Sequence, residues 1–205
     1  MDKKVKVLEL FAGSRSFSKV AEEIGMETFT SDYKDFDKIN YVVDFMDFDV
    51  NKIPFKPDII WASPPCTSYS IAGIRFHRVN CAPYSEFAFK SDYMMVKLLQ
   101  LIKEVKPKYY FIENPRGVLR KMDFMQNVGI RNTITYCQYG ETRMKPTDVW
   151  TNNINWKPRQ MCKNGMPCHE SAPRGSRAGT QGLKGNYLRS IVPEELCKEI
   201  LESCI

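Results

Sequence analysis

This sequence has no run of apolar residues that approaches the roughly 18 needed to cross a membrane. Its first residues, Met1-Asp2-Lys3-Lys4, are not followed by the apolar core and small-residue cleavage site of a signal peptide. It contains no internal repeat and no low-complexity block, so a fibrous repeat protein is not expected. These absences predict a cytoplasmic globular protein without a membrane partner.

The composition is that of an ordinary globular chain, with 43% hydrophobic and 26% charged residues. A length of 205 residues fits one domain with at most a small appendage. The net charge of +6 permits a polyanionic partner without establishing one, because solvated surfaces often carry such an excess. The seven cysteines are an odd number, and in a reducing compartment they are buried thiols, metal ligands or a nucleophile rather than a disulfide frame.

Short runs with strand character alternate with helical periodicity along the chain. The predicted strands cover residues 5–10, 28–31, 41–43, 58–62, 109–112, 133–137 and 148–151, and the predicted helices cover 16–25, 92–105 and 193–205. This alternation is typical of a parallel α/β sheet whose functional residues lie where the strands end. We therefore expect a core over residues 1–151, a short basic insert or loop over 152–187, and a C-terminal helix over 188–205 that packs back on the core.

The turn after the first strand, Phe11-Ala12-Gly13, is a candidate ligand site. Glycine there lets the backbone approach a ligand, and free amides can bind an anionic group. The dinucleotide fingerprint G-x-G-x-x-G is absent, because Arg15 occupies the place of its second glycine. This leaves an adenosyl ligand with a carboxylate, such as S-adenosylmethionine, and Asp32 is placed to bind its ribose. A tight turn and a capping aspartate explain each motif equally well when it is taken alone.

Two neighbouring strands of the predicted sheet end in residues that can do covalent chemistry. Ser63-Pro64-Pro65-Cys66 holds a thiol at the sheet edge, where positive charge can activate it, and Glu113 ends the next strand. Because neighbouring strand ends meet, Cys66 and Glu113 are predicted to share a pocket as nucleophile and proton-transfer group. The alternatives are a cysteine packed under the following loop and a glutamate that caps a helix opened by Pro115.

The ordered set Phe11-Ala12-Gly13, Pro64-Pro65-Cys66, Glu113-Asn114 and Tyr139-Gly140 with Arg143 and Lys145 resembles the cytosine-C5 DNA methyltransferases over about residues 5–151. The resemblance implies a class I, Rossmann-like methyltransferase sheet with helices on both faces and S-adenosylmethionine as cofactor. It implies that Cys66 attacks C6 of a cytosine flipped from duplex DNA, while Glu113 protonates N3 and Arg143 holds the base. The implied cofactor contacts are Phe11, Ala12, Gly13, Asp32, Tyr33, Asp44, Phe45 and Pro65.

DNA contacts are expected from residues 71–91, interpreted as a mobile loop, and from the basic insert. The expected nucleic-acid contacts are Ser70, Arg75, Arg78, Lys145, Arg174 and Arg177. The large target-recognition region of the family is missing, since only about residues 152–185 remain in its place. This short insert predicts short or relaxed sequence specificity and leaves room for a separate specificity subunit, in a bacterial or viral-host cytosol.

Two departures from the family pattern keep other functions open. Arg15 and Ser16 replace glycines, and Lys145 stands where a second arginine is common, although the two cations differ at a forked contact. The rival hypotheses are an RNA (tRNA) cytosine-C5 methyltransferase and a catalytically silent DNA-binding protein with the same fold.

A group of cysteines and a histidine in the insert raises the question of a metal site. Cys162, Cys168 and His169 could be three zinc ligands and Cys137 a fourth, but their spacing fits no standard zinc motif. The sequence therefore predicts no metal.

Overall fold

The computed structural model describes residues 4–171 and 185–205. Its strands, in chain order, are β1 (Lys6–Leu10), β2 (Glu27–Asp32), β3 (Tyr41–Val42), β4 (Ile59–Ala62), β5 (Arg78–Val79), β6 (Ala82–Pro83), β7 (Tyr109–Pro115), β8 (Ile130–Thr135) and β9 (Pro146–Thr151). Seven of them form one sheet in the order β3-β2-β1-β4-β7-β9-β8, and β5 and β6 form a separate hairpin. The helices are α1 (Ser16–Glu23), α2 (Glu86–Val105), α3 (Asn186–Ser190) and α4 (Glu194–Glu202).

The register of the parallel strands determines where the functional residues emerge. β1 pairs in parallel with β2 and β4, and β4 pairs in parallel with β7. Ala62 lies opposite Ile112, so the chain after β4 and the last residues of β7 reach the same edge of the sheet. β9 is antiparallel to β7 and β8, which starts it at that edge and ends it at the opposite one.

Helices cover both faces of the sheet, which confirms the predicted fold class. Alternate strand residues such as Val7 and Trp61 pack with α1 and α4, whereas Leu8 and Ile60 pack with α2. The central strands are therefore continuous apolar runs, as is usual for parallel strands buried on both faces. Full burial of a side chain of this size contributes roughly 1.5–3 kcal/mol.

Within the part of the chain that the structure describes, no helix is both long and apolar enough to cross a membrane.

The segment over residues 71–91 is more regular than the mobile loop that the sequence predicted. It contains a 3-10 turn over Ile74–Phe76, the β5–β6 hairpin and the first turns of α2. α2 begins at Glu86, before the predicted residue 92, because the Ser85 hydroxyl accepts a hydrogen bond from the Ala88 amide at 3.2 Å.

A buried carboxyl group holds the start of α1 against β1. Glu9 is 2% exposed, and its carboxylate accepts hydrogen bonds from the backbone amides of Phe17 (3.3 Å) and Ser18 (2.8 Å). Burial raises the pKa of Glu9 to about 7, against the opposing effect of these hydrogen bonds.

This raised pKa predicts a pH-dependent contribution to stability. The folded state holds the Glu9 proton up to about pH 7, whereas the unfolded chain loses it near pH 4.5. The contribution of Glu9 is therefore complete below pH 4.5 and is lost as the pH rises to about 7, by on the order of 3 kcal/mol. Urea unfolding between pH 4 and 8 should show this decline in the native protein and not in Glu9→Gln. The exposed Glu23→Gln is the control and should keep the native profile; equal profiles for all three would contradict the assignment.

Candidate active site

Cys66 begins a short helical turn beyond β4. The backbone amides of Tyr69 and Ser70 both donate to its carbonyl oxygen, at 3.0 and 2.8 Å. The thiol is half-buried and not oxidised to a disulfide. The turn lies against the chain that follows β7, because Ser70 forms an isolated antiparallel bridge with Gly117.

Asn114 connects the two strand ends. This side chain is 0% exposed in β7, and its Nδ2 donates to the Pro64 carbonyl oxygen at 3.0 Å. Since Pro64 lies two residues before Cys66, the bond fixes the approach to the thiol relative to Glu113, the neighbour of Asn114. The sequence indicated Asn114 only as part of a motif.

Glu113 lies in a buried polar cluster. It is 5% exposed, its Oε1 accepts a hydrogen bond from the Tyr136 hydroxyl at 2.9 Å, and Lys145 Nζ lies 3.7 Å from the same oxygen. Burial, with the charge of Glu113, raises the pKa of Tyr136 well above its ordinary value, so this phenol remains a donor. Tyr136 was not foreseen, because an aromatic residue after a strand carries no signal that distinguishes it from a core residue.

The electrostatics place Cys66 in the same environment as Glu113. Burial raises the pKa of the Cys66 thiol, and the charge of Glu113 raises it further. The positive charges of Lys145 and Arg189 oppose this rise in the pKa. Thus Glu113 and Lys145 lie together, and their charges act on Cys66, as does that of Arg189 from α3, which the sequence did not indicate.

Two residues predicted to contact nucleic acid are directed into the protein in this structure. The Arg78 guanidinium is fully buried, is paired with Asp92, and donates from Nε to the Ser68 carbonyl at 2.9 Å. It also lies 4.5 Å above the ring of Tyr69, so it holds the Cys66 turn to α2 instead of facing DNA.

Lys145 is likewise turned inward, with its side chain 11% exposed. Its Nζ faces Glu113 and donates to the Arg189 carbonyl at 3.1 Å. The sequence alone did not predict the partners of Arg78 or of Lys145.

The other predicted contacts are placed as follows. Arg75 is exposed and lies 4.5 Å over the Phe76 ring, and the Ser70 hydroxyl accepts from the Gly73 amide at 3.3 Å. Arg174 and Arg177 lie outside the described residues.

Arg143 is 3% exposed and makes a two-point contact with Glu141, at 2.8 Å for each bond. Within the described residues its Nη1 is buried without a partner, which leaves one donor for a ligand.

The turn after β1 has the backbone of a ligand-binding loop. Phe11 and Gly13 have φ values of +56° and +44°, and the Gly13 amide donates to Asp32 Oδ2 at 2.9 Å. The Lys34 amide binds Asp32 Oδ1 at 3.0 Å, and burial raises the pKa of this carboxyl. A carboxylate has about four acceptor positions, so Asp32 retains capacity for a ribose hydroxyl.

The remaining predicted cofactor residues surround this turn. Phe11 and Phe45 are in ring contact at 4.7 Å, and Asp44 pairs with Lys90 at 2.9 Å. A hydrogen bond from the Met46 amide, followed by the one from Lys90, lowers the pKa of Asp44. Ala12 is buried, whereas Tyr33 and Pro65 are exposed.

The C-terminal segment borders the same turn, which the sequence did not predict. Tyr187 lies 5.6 Å from Phe36 between ring centroids, and a Cβ on Gly13 would lie 3.9 Å from the Ser190 hydroxyl. The Val192 amide donates to the Ser16 hydroxyl at 3.1 Å. These contacts join residues more than 150 positions apart, and no local pattern predicts such a pairing.

Four potential metal ligands meet at the base of the insert. The ligand atoms of Cys137, Cys162, Cys168 and His169 all lie within 4.8 Å of one another. The expectation of no metal depended on spacing along the chain, which does not determine which loops meet in the fold.

Comparison with known proteins shows the family and the fold of this chain. The sequence profile of the C-5 cytosine-specific DNA methylases matches residues 5–140. The chain belongs to this family. A probable DNA (cytosine-5)-methyltransferase of Frog virus 3 (isolate Goorha) is 28% identical over 98% of this methylase-family chain and 100% of the viral protein. The orphan methyltransferase M.SPRI of Bacillus phage SPR is 27% identical over 57% of the chain, which spans only 27% of that protein.

Solved structures share the fold of this family member. A putative DNA modification methyltransferase encoded within an E. coli prophage has a TM-score of 0.55 at 12% identity, and the match covers 82% of this chain and 57% of that one. The Entamoeba histolytica methyltransferase EhMeth has a TM-score of 0.54 at 16% identity, covering 79% and 58%. The chain thus spans somewhat more than half the length of these structures.

Two glycines allow the backbone to approach the Cys66 turn closely: Gly117, which follows β7, and Gly73, in the loop that follows Cys66. A Cβ on Gly117 would lie 2.2 Å from the Tyr69 carbonyl oxygen, and one on Gly73 would lie 2.0 Å from that of Thr67. The Val118 amide also donates to the Tyr69 carbonyl at 2.9 Å. The backbone contact therefore requires glycine at position 117.

Gly117→Ala should displace the Cys66 turn. We expect a loss of about 1–3 kcal/mol in the free energy of unfolding, because overpacking moves the backbone, together with faster alkylation of Cys66 by iodoacetamide. Gly25→Ala is the control: its φ of +84° makes alanine strained, but no atom lies within 4 Å of the new Cβ. Equal alkylation rates in the two variants would show that Gly117 does not hold the thiol.

The charges around Cys66 predict opposite shifts in its reactivity. Because Glu113 raises the pKa of Cys66 and Lys145 lowers it, Glu113→Gln should move the alkylation midpoint to lower pH and Lys145→Met should move it to higher pH. Mass spectrometry of iodoacetamide-treated protein over a pH series measures both midpoints. Shifts in the same direction would contradict a shared cleft.

Proposed function

We propose that this protein methylates C5 of cytosine in DNA, with S-adenosylmethionine as the methyl donor and a covalent adduct of Cys66 with the base. The observation that carries the proposal is the pairing of Cys66 and Glu113 on adjacent strand ends, which Asn114 joins through its 3.0 Å bond to Pro64. Methylation of cytosine at its unreactive C5 requires a nucleophile beside a group that transfers a proton, and a thiol near a buried carboxyl is such an arrangement. Family membership supplies the substrate class.

Cytosine C5 is a poor nucleophile until the ring loses its aromaticity. The Cys66 thiol would give its proton to the Glu113 carboxylate and its electron pair to C6, and Glu113 would pass that proton to N3 as the C5–C6 electrons become available at C5. C5 would then bond to the methyl carbon of S-adenosylmethionine held by the residues around the turn after β1, and the electrons of the broken S–CH3 bond would stay on the donor sulfur. Loss of the C5 proton to water would then restore the C5–C6 double bond, N3 would return its proton to Glu113, and Cys66 would leave C6 as thiolate.

The surroundings of Glu113 favour this role. The Tyr136 hydroxyl donates to Oε1 of Glu113, and Lys145 Nζ lies near the same oxygen. Among the described contacts, Oε2 of Glu113 is therefore the oxygen that can face N3 of cytosine. Lys145 also compensates negative charge in the cleft when Cys66 is a thiolate. Arg143 would use its unpaired Nη1 to hold the base through a carbonyl oxygen.

The residues around the turn after β1 fit an adenosyl ligand. Asp32 would bind the ribose, Tyr33 offers an exposed aromatic face, and Asp44 retains acceptor positions for an amino group. The left-handed backbone at Gly13 lets its turn lie close to a bound molecule. When bound, S-adenosylmethionine supplies an electrophilic methyl group.

The base must leave the duplex to reach this cleft. Extrusion costs about a few kcal/mol, which phosphate contacts can offset. Arg75 is exposed near the Cys66 turn and is one candidate for such a contact. The basic residues Arg174 and Arg177 are further candidates by sequence.

The covalent mechanism has a direct test. DNA that contains 5-fluorocytosine cannot lose a proton from C5 after methyl transfer, so native protein with S-adenosylmethionine should form a complex that resists denaturant. Cys66→Ala should form none and should lose methyl transfer altogether. Glu113→Gln should reduce methyl transfer by about 10²–10⁴-fold. Radiolabel transfer and denaturing gels measure both effects.

Cys81→Ala is the matched control, because this half-buried thiol lies outside the cleft and should leave activity unchanged. Duplex DNA and structured RNA are assayed side by side. A strong preference for RNA would overturn the DNA assignment, and binding of DNA without binding of S-adenosylmethionine would identify a silent DNA-binding protein.

A further inference from the structure

The base of the insert carries a cluster of soft metal ligands that the proposed reaction does not use. Cys137 lies in the 3-10 turn Tyr136–Tyr139, and the others come from residues 162–169. The Sγ atoms of Cys162 and Cys168 are 3.1 Å apart, and those of Cys168 and Cys137 are 3.8 Å apart. His169 Nδ1 lies 3.4 Å from the sulfur of Cys162 and 3.7 Å from that of Cys168.

Three of these four distances match the edges of a tetrahedron around zinc. Zinc binds sulfur at about 2.3 Å and imidazole nitrogen at about 2.0–2.1 Å, so tetrahedral ligands are roughly 3.8 Å apart for two sulfurs and roughly 3.5 Å apart for sulfur and nitrogen. Three of the four measured separations fall within about 0.2 Å of these values. The 3.1 Å separation is shorter, and it is also far longer than the roughly 2.05 Å of a disulfide bond.

We propose that Cys137, Cys162, Cys168 and His169 bind a structural zinc ion. Four protein ligands complete the tetrahedron, which leaves no open position for water or substrate and distinguishes this site from a catalytic one. Three thiolates and one neutral imidazole form the soft donor set that selects zinc over magnesium or calcium.

The local backbone directs these side chains inward. Gly165, with a φ of +87°, reverses the chain between Cys162 and Cys168. A turn over residues 167–168 and a bend at 169 allow consecutive side chains, Cys168 and His169, to face one point. The Cys162 amide donates to the Thr135 hydroxyl at 2.9 Å, which seats this ligand independently of a metal.

The ion would fasten the insert beside the cleft. The Glu170 amide donates to the Thr142 carbonyl at 2.9 Å, and the Arg159 amide donates to the Tyr139 hydroxyl at 2.9 Å. The zinc thus joins residues 159–170 to the turn that carries Tyr136 and leads to Arg143. This role does not depend on the proposed methyl transfer.

Metal content tests the proposal. The full chain, expressed with zinc and dialysed against a weak chelator, should contain about one zinc per chain by elemental mass spectrometry. Cys168→Ser and His169→Ala should each lower the content at least about tenfold. Cobalt exchanged into the native protein should give the visible absorption of a tetrahedral, thiolate-bound ion.

Cys81→Ser controls for the loss of any cysteine and should keep the full zinc content. Cys168 is exposed, so its serine variant should fold, and circular dichroism verifies this. A native chain without zinc, a native Cys162–Cys168 disulfide, or undiminished zinc in folded Cys168→Ser would each overturn the site.

Discussion

The hydrogen bond from Asn114 to the Pro64 carbonyl is the contact on which the rest of the cleft depends. Two parallel strands bring their ends to one edge, but a strand pair does not determine the path of the chain beyond it. The buried amide does so, because it holds the Pro64 carbonyl while the backbone of Asn114 continues the ladder with β9. Leaving the Nδ2 donor of Asn114 unpaired in this buried position would cost about 1–3 kcal/mol in the free energy of folding, so the bond to Pro64 is strongly favoured.

The cleft also shows how a folded chain tolerates a buried carboxyl. Glu113 would be unfavourable alone in an apolar environment. Lys145 supplies the opposite charge and Tyr136 a hydrogen bond, and both arrive on the chain that connects β8 to β9. This connection therefore supplies the groups that stabilise the buried Glu113, in addition to joining two strands.

Much of this arrangement could be predicted from the sequence, because it depends on local patterns. Alternating apolar runs predicted the sheet, and residues at strand ends made Cys66 and Glu113 candidates. The inward direction of Arg78 could not be predicted, since no local pattern links it to its partner Asp92, which lies 14 positions along the chain. The meeting of Cys137 with Cys162 and His169 was equally invisible, because it requires two loops to converge.

The antiparallel course of β9 determines where the chain leaves the sheet and how it returns to the C-terminal segment. The chain leaves β9 at the edge opposite the cleft and returns alongside α4. On this return path the Asn153 amide donates to the Ser203 hydroxyl, and the Arg159 guanidinium donates to the Glu195 carboxylate. Much of the insert is occupied by this return. The segment beyond Glu170 begins beside Thr142, and the described chain resumes at α3, where Arg189 meets Lys145. The described chain is therefore anchored on both sides of residues 172–184, and under the proposed function any base contacts of this segment would start from those two anchors.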